Sequence, residues 1–178
     1  MGHATHKRKN GRGVGVSIAG KVGPPTVSAE IELGLLNLHD AFLNASLVMD
    51  RMKQAPIERD VCAFLVSDRA RLERLWVALL AVLVESWNCA QMKPVKTYIS
   101  SITSIRPVVE ALRRARRDGT LGKMLNVRHY MFHRDKRLYW DNGRTAVCRN
   151  LGVNRSVHAA FAKVLLLAMA RFGAVNTQ

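Results

Sequence analysis

A long apolar stripe near the N-terminal end constrains the fold more than any other feature of this sequence. Between residues 27 and 54, apolar side chains recur at alternating steps of four and three residues. They are Ile31, Leu35, Leu38, Phe42, Ala45, Met49 and Met52. This spacing puts them on one face of a single α-helix, which Thr26 or Ser28 can cap and Pro56 ends. Such a helix is expected to lie against a core, against a second copy, or against both.

A second long helix and a more broken segment are predicted between residues 68 and 119. Ser67 or Asp68 can cap the helix, and its broad apolar face makes it the element that we expect to be most buried. After it, Pro94 and a Ser/Thr-rich stretch predict a loop with at most one helical turn. Pro107 suits the first turn of a short helix, and Asp118-Gly119 ends that helix.

The C-terminal third predicts two more helices. The first covers residues 120–136, with Thr120 as its cap and a core face of Leu121, Met124, Leu125 and Phe132. The second covers residues 156–172, capped by Asn154 or Ser156. Its inward residues are Val157, Phe161, Val164, Leu165, Ala168 and Phe172. Strand patterns are negligible, so we expect an all-α, four- to five-helix up-and-down bundle over residues 26–178.

The charge of the chain favours a polyanionic partner. Lys and Arg number 28 against 13 Asp and Glu, a net charge of +15, well beyond what solubility requires. Nucleic acid is preferred over an anionic membrane surface. Residues 1–25, which include Lys7, Arg8 and Lys9, are expected to form a disordered basic arm that contacts phosphates without sequence preference. No uncharged apolar run of ~18 residues and no signal peptide are evident, so we expect a cytoplasmic protein without membrane spans.

Cysteines and histidines do not indicate a metal centre. Three cysteines lie far apart without a CxxC pair, which fits a reducing compartment. The six histidines form no HxxxH pair. We therefore expect neither a metal ion nor another cofactor.

Four arginines crowd the end of the short helix that follows Pro107. Arg113, Arg114, Arg116 and Arg117 lie within five positions. A solvated basic face is one interpretation, and a patch that contacts phosphates is the other. We favour the second, because the cluster lies just upstream of a further candidate site.

That candidate site is the segment from Asn126 to Asp135, which places Arg128 and His133 five residues apart. Arg128 supplies a permanent charge with planar donors, and His133 exchanges a proton near neutral pH. On one regular helix the two residues are ~140° and ~7.5 Å apart, so they converge more easily if a second copy supplies the matching pair across a two-fold axis. Asp135 could hold the His133 tautomer or pair with its neighbours Arg134 and Lys136, which add to the basic surface.

Glu85, in the apolar region of the second long helix, has two interpretations. It is either an exposed carboxylate on the polar flank or the ion-pair partner of an arginine near the site, because a buried carboxylate needs a partner.

The segment Arg128-His129-Tyr130-Met131-Phe132-His133 resembles the R-x4–6-H motif of the HEPN superfamily of helical domains. The likeness extends to Leu83-Val84-Glu85-Ser86-Trp87 and to Leu112-Arg113-Arg114, within residues 68–172. His129 departs from the asparagine or other polar residue that is common after the arginine. The resemblance implies a homodimeric, metal-independent endoribonuclease of the toxin, anti-phage or RNA-processing kind, with an inhibitory or antitoxin partner as a further expectation.

By this resemblance, Arg128 and His133 carry the chemistry. A ribose 2′-hydroxyl would attack the adjacent phosphate, with His133 as base or acid, Arg128 stabilising the phosphorane, and His129 as a second proton donor or phosphate ligand. RNA would then be the substrate. Three alternatives stay open: a catalytically inactive RNA- or DNA-binding helical module, a structural component of a nucleoprotein assembly, and a helical domain in which His133 is an ordinary surface histidine.

Overall fold

Most of the described part of the chain is helical. The computed structural model describes residues 27–57, 67–133 and 151–176, and side chains for residues 29–57, 67–132 and 151–172. These ranges contain six α-helices and one short 3₁₀ helix, without a strand. The helices are α1 (Val27–Gln54), α2 (Asp68–Asn88), the 3₁₀ helix (Ala90–Met92), α3 (Lys93–Ile102), α4 (Arg106–Arg117), α5 (Thr120–His133) and α6 (Leu151–Asn176). The all-α prediction is confirmed, while the predicted basic arm of residues 1–25 lies outside the described residues.

One hydrophobic core joins the helices. α2 packs against both α1 and α5, and α4 packs against α6. The largest fully buried side chains include Trp76 of α2, Phe161 of α6, Leu35 of α1 and Met124 of α5. Each such side chain contributes roughly 1.5–3 kcal/mol by leaving water. α2 buries ten residues, as expected for the central element.

The ends of α1 and α2 are joined by hydrogen bonds. Ser67 caps α2 as predicted, because its Oγ accepts a hydrogen bond from the Ala70 N–H at 3.2 Å. In the first turn of α2, Arg69 donates to the carbonyl oxygens of Met52 (3.3 Å) and Ala55 (3.1 Å). One guanidinium therefore binds two carbonyls where α1 ends, a region in which a helix lacks N–H partners of its own, and the Met52 carbonyl also accepts from the Ala55 N–H at 3.3 Å.

The loop predicted after Pro94 is wrong, because residues 93–102 form the ten-residue helix α3. Pro94 lies in the first turn, where its missing N–H costs nothing. Val95 and Ile99, four residues apart, are buried against the core. The serine and threonine hydroxyls bond back to carbonyls one turn earlier, as Ser100 does to Lys96 at 2.7 Å, and so do not compete with the helix.

A tight turn separates α4 from α5. Gly119 adopts φ +73°, a left-handed conformation that favours glycine. The Asp118 carboxylate accepts a hydrogen bond from the Thr120 N–H at 2.9 Å. Thr120 was the predicted cap, but its buried hydroxyl has no hydrogen-bond partner within the described part of the chain. Asp118 therefore performs the capping role.

Two predictions about side chains on α5 and α6 are also wrong. α6 begins at Leu151, so Asn154 and Ser156 lie inside the helix and do not cap it. Ser156 instead donates to the Gly152 carbonyl at 2.9 Å. On α5, Phe132 is 48% exposed, whereas Val127 is buried in the core. The buried face of α5 therefore includes Val127 and does not include Phe132, which lies near the C-terminal end of the helix.

The helix α6 is also long and apolar enough to cross a membrane. The apolar stretch is Leu151–Phe172, which has 22 residues. The segments Asp68–Asn88 and Ala90–Ile102 reach a comparable length and apolar character only when taken together, and they are bent by 70° relative to each other. In the most apolar part of this stretch, 44% of the residues are buried inside the domain. Core packing of Phe161, Val164 and Leu165 accounts for part of this apolar character, whereas Leu166 and Leu167 are exposed.

Candidate nucleic-acid interface

The four predicted phosphate-binding arginines are exposed on one surface of α4. Val108 and Ala115 turn inward and are fully buried, which fixes the orientation of the helix. The exposed residues Arg113, Arg114, Arg116 and Arg117 project from the opposite side. The C-terminal end of a helix carries a partial negative charge that favours these cations. We call this set the arginine cluster.

The arginine cluster lines a groove between α4 and α6. The groove has a volume of about 770 Å³, and its lining includes all four arginines together with Ser156 and Ala160 of α6. Among the described residues that line the groove, Glu110 is the one carboxylate, and it accepts a hydrogen bond from Arg106 Nε at 2.6 Å. That bond raises the pKa of Arg106. Since Glu110 is already engaged, the groove presents a strongly positive surface.

A second hollow continues this surface toward α3. It has a volume of about 910 Å³ and lies at the α3–α4 junction. Its lining includes Arg106 and Arg113, with Ser100, Thr103 and Ser104 as neighbours. Arg113 lines both hollows, so guanidinium and hydroxyl donors form a continuous path along α4.

Arg128, the arginine of the R-x4-H motif, forms an ion pair with Glu85. Its Nε lies 2.9 Å from Glu85 Oε2, although the N–H is not aligned for a hydrogen bond. The side chains are 27% and 38% exposed, respectively. Glu85 is thus paired with an arginine but is also partly exposed, so it combines features of both interpretations. The ion pair joins α5 to α2 at the edge of the core.

The structure leaves the pairing of Arg128 with His133 as a prediction. His129 is exposed beside Arg128. His133 is the last residue of α5, and its imidazole lies outside the described side chains. The other predicted residues that fall outside the described ranges are Lys7, Arg8, Lys9, Arg134, Asp135 and Lys136.

A buried serine–histidine contact escaped the sequence analysis. His158 Nε2 of α6 lies 3.0 Å from Ser46 Oγ of α1, and His158 is only 5% exposed. Its ring stacks on Phe42 and meets the edge of Trp76. Burial lowers the pKa of His158, and the nearby charge of Lys53 acts in the same direction. The helical spacing of His158 with the inward residues Phe161 and Leu165 could have revealed its burial.

The described side chains include no group of three or more His, Cys, Asp or Glu that could hold a metal ion. Comparisons with protein-family models, with curated proteins and with solved structures find no match to this chain. The functional assignment therefore depends on the residues themselves.

Proposed function

We propose that this protein binds RNA through the groove between α4 and α6. The observation that carries this proposal is the exposure of four neighbouring arginines along one groove, where Glu110, the one carboxylate among the described lining residues, is already paired. A guanidinium group can donate two parallel hydrogen bonds to the oxygens of one phosphate, and a groove lined by such groups can bind a nucleic-acid backbone along its length. The net charge of +15 adds long-range attraction.

Salt-dependent binding of a labelled single-stranded RNA tests this proposal. We expect Arg116→Gln/Arg117→Gln to weaken binding about tenfold and to lower the slope of log K against log salt by roughly 1.4, since each phosphate contact on a single strand contributes ~0.7. The control Arg71→Gln/Arg171→Gln removes the same charge from exposed arginines on α2 and α6. An equal loss of RNA affinity in both double variants would mean that binding depends only on the total charge of the protein, and this result would overturn the proposal.

A second candidate function is an endoribonuclease of the HEPN type. It is favoured by the Arg128–Glu85 ion pair, which holds a guanidinium at the edge of the core beside the exposed His129. Only one of the five guanidinium N–H groups is on Nε, so the terminal nitrogens still offer four donors. The succession of helices, with the motif on α5 before a final long helix, supports a HEPN-like bundle.

In this candidate reaction, Arg128 stabilises the charge of a pentacoordinate phosphorane. A ribose 2′-oxygen attacks phosphorus while the bond to the 5′-oxygen breaks, which leaves a 2′,3′-cyclic phosphate and a free 5′-hydroxyl. His133 takes the proton of the 2′-hydroxyl or delivers one to the leaving oxygen, and His129 contacts the phosphate or supplies the second proton. Glu85 orients Arg128. A second copy supplies the matching residues across a two-fold axis.

Incubation of the purified protein with total RNA in EDTA tests the nuclease candidate. We expect cyclic-phosphate products from the wild type and none from His133→Ala or Arg128→Gln. His39→Ala, a histidine variant on α1, serves as the control and should cleave normally. A substrate with a single 2′-deoxy linkage should resist cleavage at that linkage. Undiminished cleavage by either motif variant refutes the residue assignment, whereas binding without cleavage leaves the RNA-binding proposal alone.

A further inference from the structure

The outer face of α1 carries a second row of leucines that the core does not use. Leu33, Leu36, Leu43 and Leu47 are 63%, 39%, 40% and 65% exposed. At 100° per residue their row lies roughly 160° around the helix from the buried row that runs from Leu35 to Met52. Leu33 and Leu47 are ~21 Å apart along the axis. α1 is therefore apolar on two opposite faces.

The leucine row follows a heptad pattern, and the residues beside it are polar in an ordered way. Glu30, Asn37, Asn44 and Arg51 lie seven residues apart, and all four are exposed. This flank is acidic at its N-terminal end, amide-bearing in the middle and basic at its C-terminal end. In a heptad these positions adjoin the apolar seam, where they select the partner and its orientation.

We propose that α1 pairs with α1 of a second copy in an antiparallel arrangement. In that arrangement Glu30 faces Arg51 of the other copy, and Asn37 faces Asn44, while the leucine rows pack together. A parallel arrangement would instead leave Glu30 and Arg51 of the other copy ~32 Å apart along the axis, because both helices would then begin at the same end of the pair. The charge pattern is thus complementary to itself only when the helices run in opposite directions.

Asp40 interrupts the leucine row near its middle. It is exposed in the monomer, and in the antiparallel pair both Asp40 carboxylates would lie near the two-fold axis. Such a polar residue in an apolar seam lowers affinity while it disfavours other registers. The proposal is independent of RNA binding, because neither the arginine cluster nor the Arg128–Glu85 pair lies on α1.

Sedimentation velocity of the full chain over a range of concentrations tests the seam. We expect a dimer for the wild type and a rise of Kd by at least about a hundredfold for Leu36→Glu/Leu43→Glu, which places four carboxylates in the interface. Leu166→Glu/Leu167→Glu is the matched control, because these α6 leucines are 52% and 49% exposed. It should dimerise like the wild type, and Asp40→Leu should dimerise about tenfold more tightly.

The orientation is tested by mixing two charge variants. Glu30→Arg and Arg51→Glu should each weaken self-association about tenfold, because like charges meet twice across the seam. An equimolar mixture should restore it, since the flank of one variant then carries arginine at both ends and faces a flank that carries glutamate at both ends. Absence of this rescue overturns the antiparallel arrangement.

Two results would overturn the seam itself. One is an unaltered dimer in Leu36→Glu/Leu43→Glu. The other is a monomeric wild type, and here thermal unfolding shows what covers the leucines. A larger loss of Tm in Leu36→Glu/Leu43→Glu than in Leu166→Glu/Leu167→Glu would mean that another segment of the same chain packs on this face.

Discussion

Ser46 and His158 form a hydrogen bond that crosses the core between α1 and α6. Ser46 Oγ lies 2.9 Å from the Phe42 carbonyl oxygen and 3.0 Å from His158 Nε2. A hydroxyl has only one hydrogen, so when Ser46 donates to Phe42, the hydrogen shared with His158 must be carried by Nε2. The aromatic rings of Phe42 and Trp76 surround it.

We predict that this histidine makes the fold sensitive to acid. Burial lowers the pKa of His158 in the folded state, with a further contribution from Lys53, whereas Asp50 opposes the shift. Below about pH 6.5, the ordinary pKa of histidine, this imidazole becomes protonated in the unfolded chain while it stays neutral in the folded chain. The stabilisation is therefore complete above that pH and is lost as pH falls toward the folded-state pKa. Thermal unfolding between pH 8 and 5 should show this loss.

The comparison that isolates the effect uses His158→Gln beside His39→Gln. Glutamine at 158 cannot titrate, so the fall in Tm across this pH range should be smaller in that variant. His39 is partly exposed on the same helix as Ser46, and its variant should keep the pH profile of the wild type. Identical profiles for all three proteins would contradict the role of His158.

Arg69 should contribute more to stability than an ordinary surface arginine. It donates to two carbonyls at the end of α1, and its Nε lies 3.8 Å from the buried Glu73 carboxylate. Burial raises the pKa of Glu73 more than its arginine neighbours lower it. Arg69→Met should therefore destabilise the fold by about 3 kcal/mol, because it leaves a buried carboxylate without its nearest cation. Chemical denaturation measures this cost.

Glu73→Gln tests whether the buried charge of Glu73 causes the loss of stability expected in Arg69→Met. Because the folded-state pKa of Glu73 is raised, its contribution to stability is present at low pH and is lost as pH rises through that pKa. The neutral amide avoids this loss, so Arg69→Met/Glu73→Gln should be more stable near pH 8 than Arg69→Met alone. A double variant that is no better than the single one would exclude the buried charge as the cause.

Gly34 permits close packing between α1 and α3, so Gly34→Ala should destabilise the protein. A Cβ at this position would collide with Val95 Cγ2, a buried atom of a stiff side chain. We expect a loss of roughly 1–3 kcal/mol. Gly122→Ala on α5 is the matched control, because its Cβ would meet nothing within 4 Å. Alanine there should stabilise the helix by up to about 1 kcal/mol, and a loss in both variants would contradict the packing argument.

The Arg128–Glu85 ion pair should contribute little to folding. Both side chains are about one-third exposed, so water screens the attraction, and we expect Arg128→Gln to cost less than about 1 kcal/mol. Circular dichroism and thermal unfolding check this expectation. A much larger loss of stability would mean that Arg128→Gln fails to cleave RNA because it unfolds. The double variant Glu85→Gln/Arg128→Gln would then be needed to separate the loss of stability from the loss of chemistry.

Periodicity predicted those elements whose burial is regular. The buried row of α1 and the faces of α2 and α6 repeat at helical spacing, so their inward residues could be identified before the structure was known. Ser67 was recognisable as a cap because a polar residue directly precedes an apolar repeat.

The errors arose where a local preference competes with tertiary packing. Proline and serine are usual loop residues, yet α3 forms because Val95 and Ile99 gain burial while the hydroxyls bond within the helix. Asn154 suits a cap in sequence, but α6 extends past it to Leu151. The groove was not predictable, because it depends on which helix packs beside α4, and helical periodicity does not specify neighbours.

The turn at Asp118–Gly119 also has a consequence for the proposed binding of RNA. It joins α4 to α5 without a spacer, and Arg128 follows eight residues into α5, ~12 Å from its start. The arginine cluster and Arg128 therefore lie on two consecutive helices that pack against each other. Under the proposed RNA binding, this packing, and not the base sequence, would set the length of strand that reaches from the cluster to Arg128.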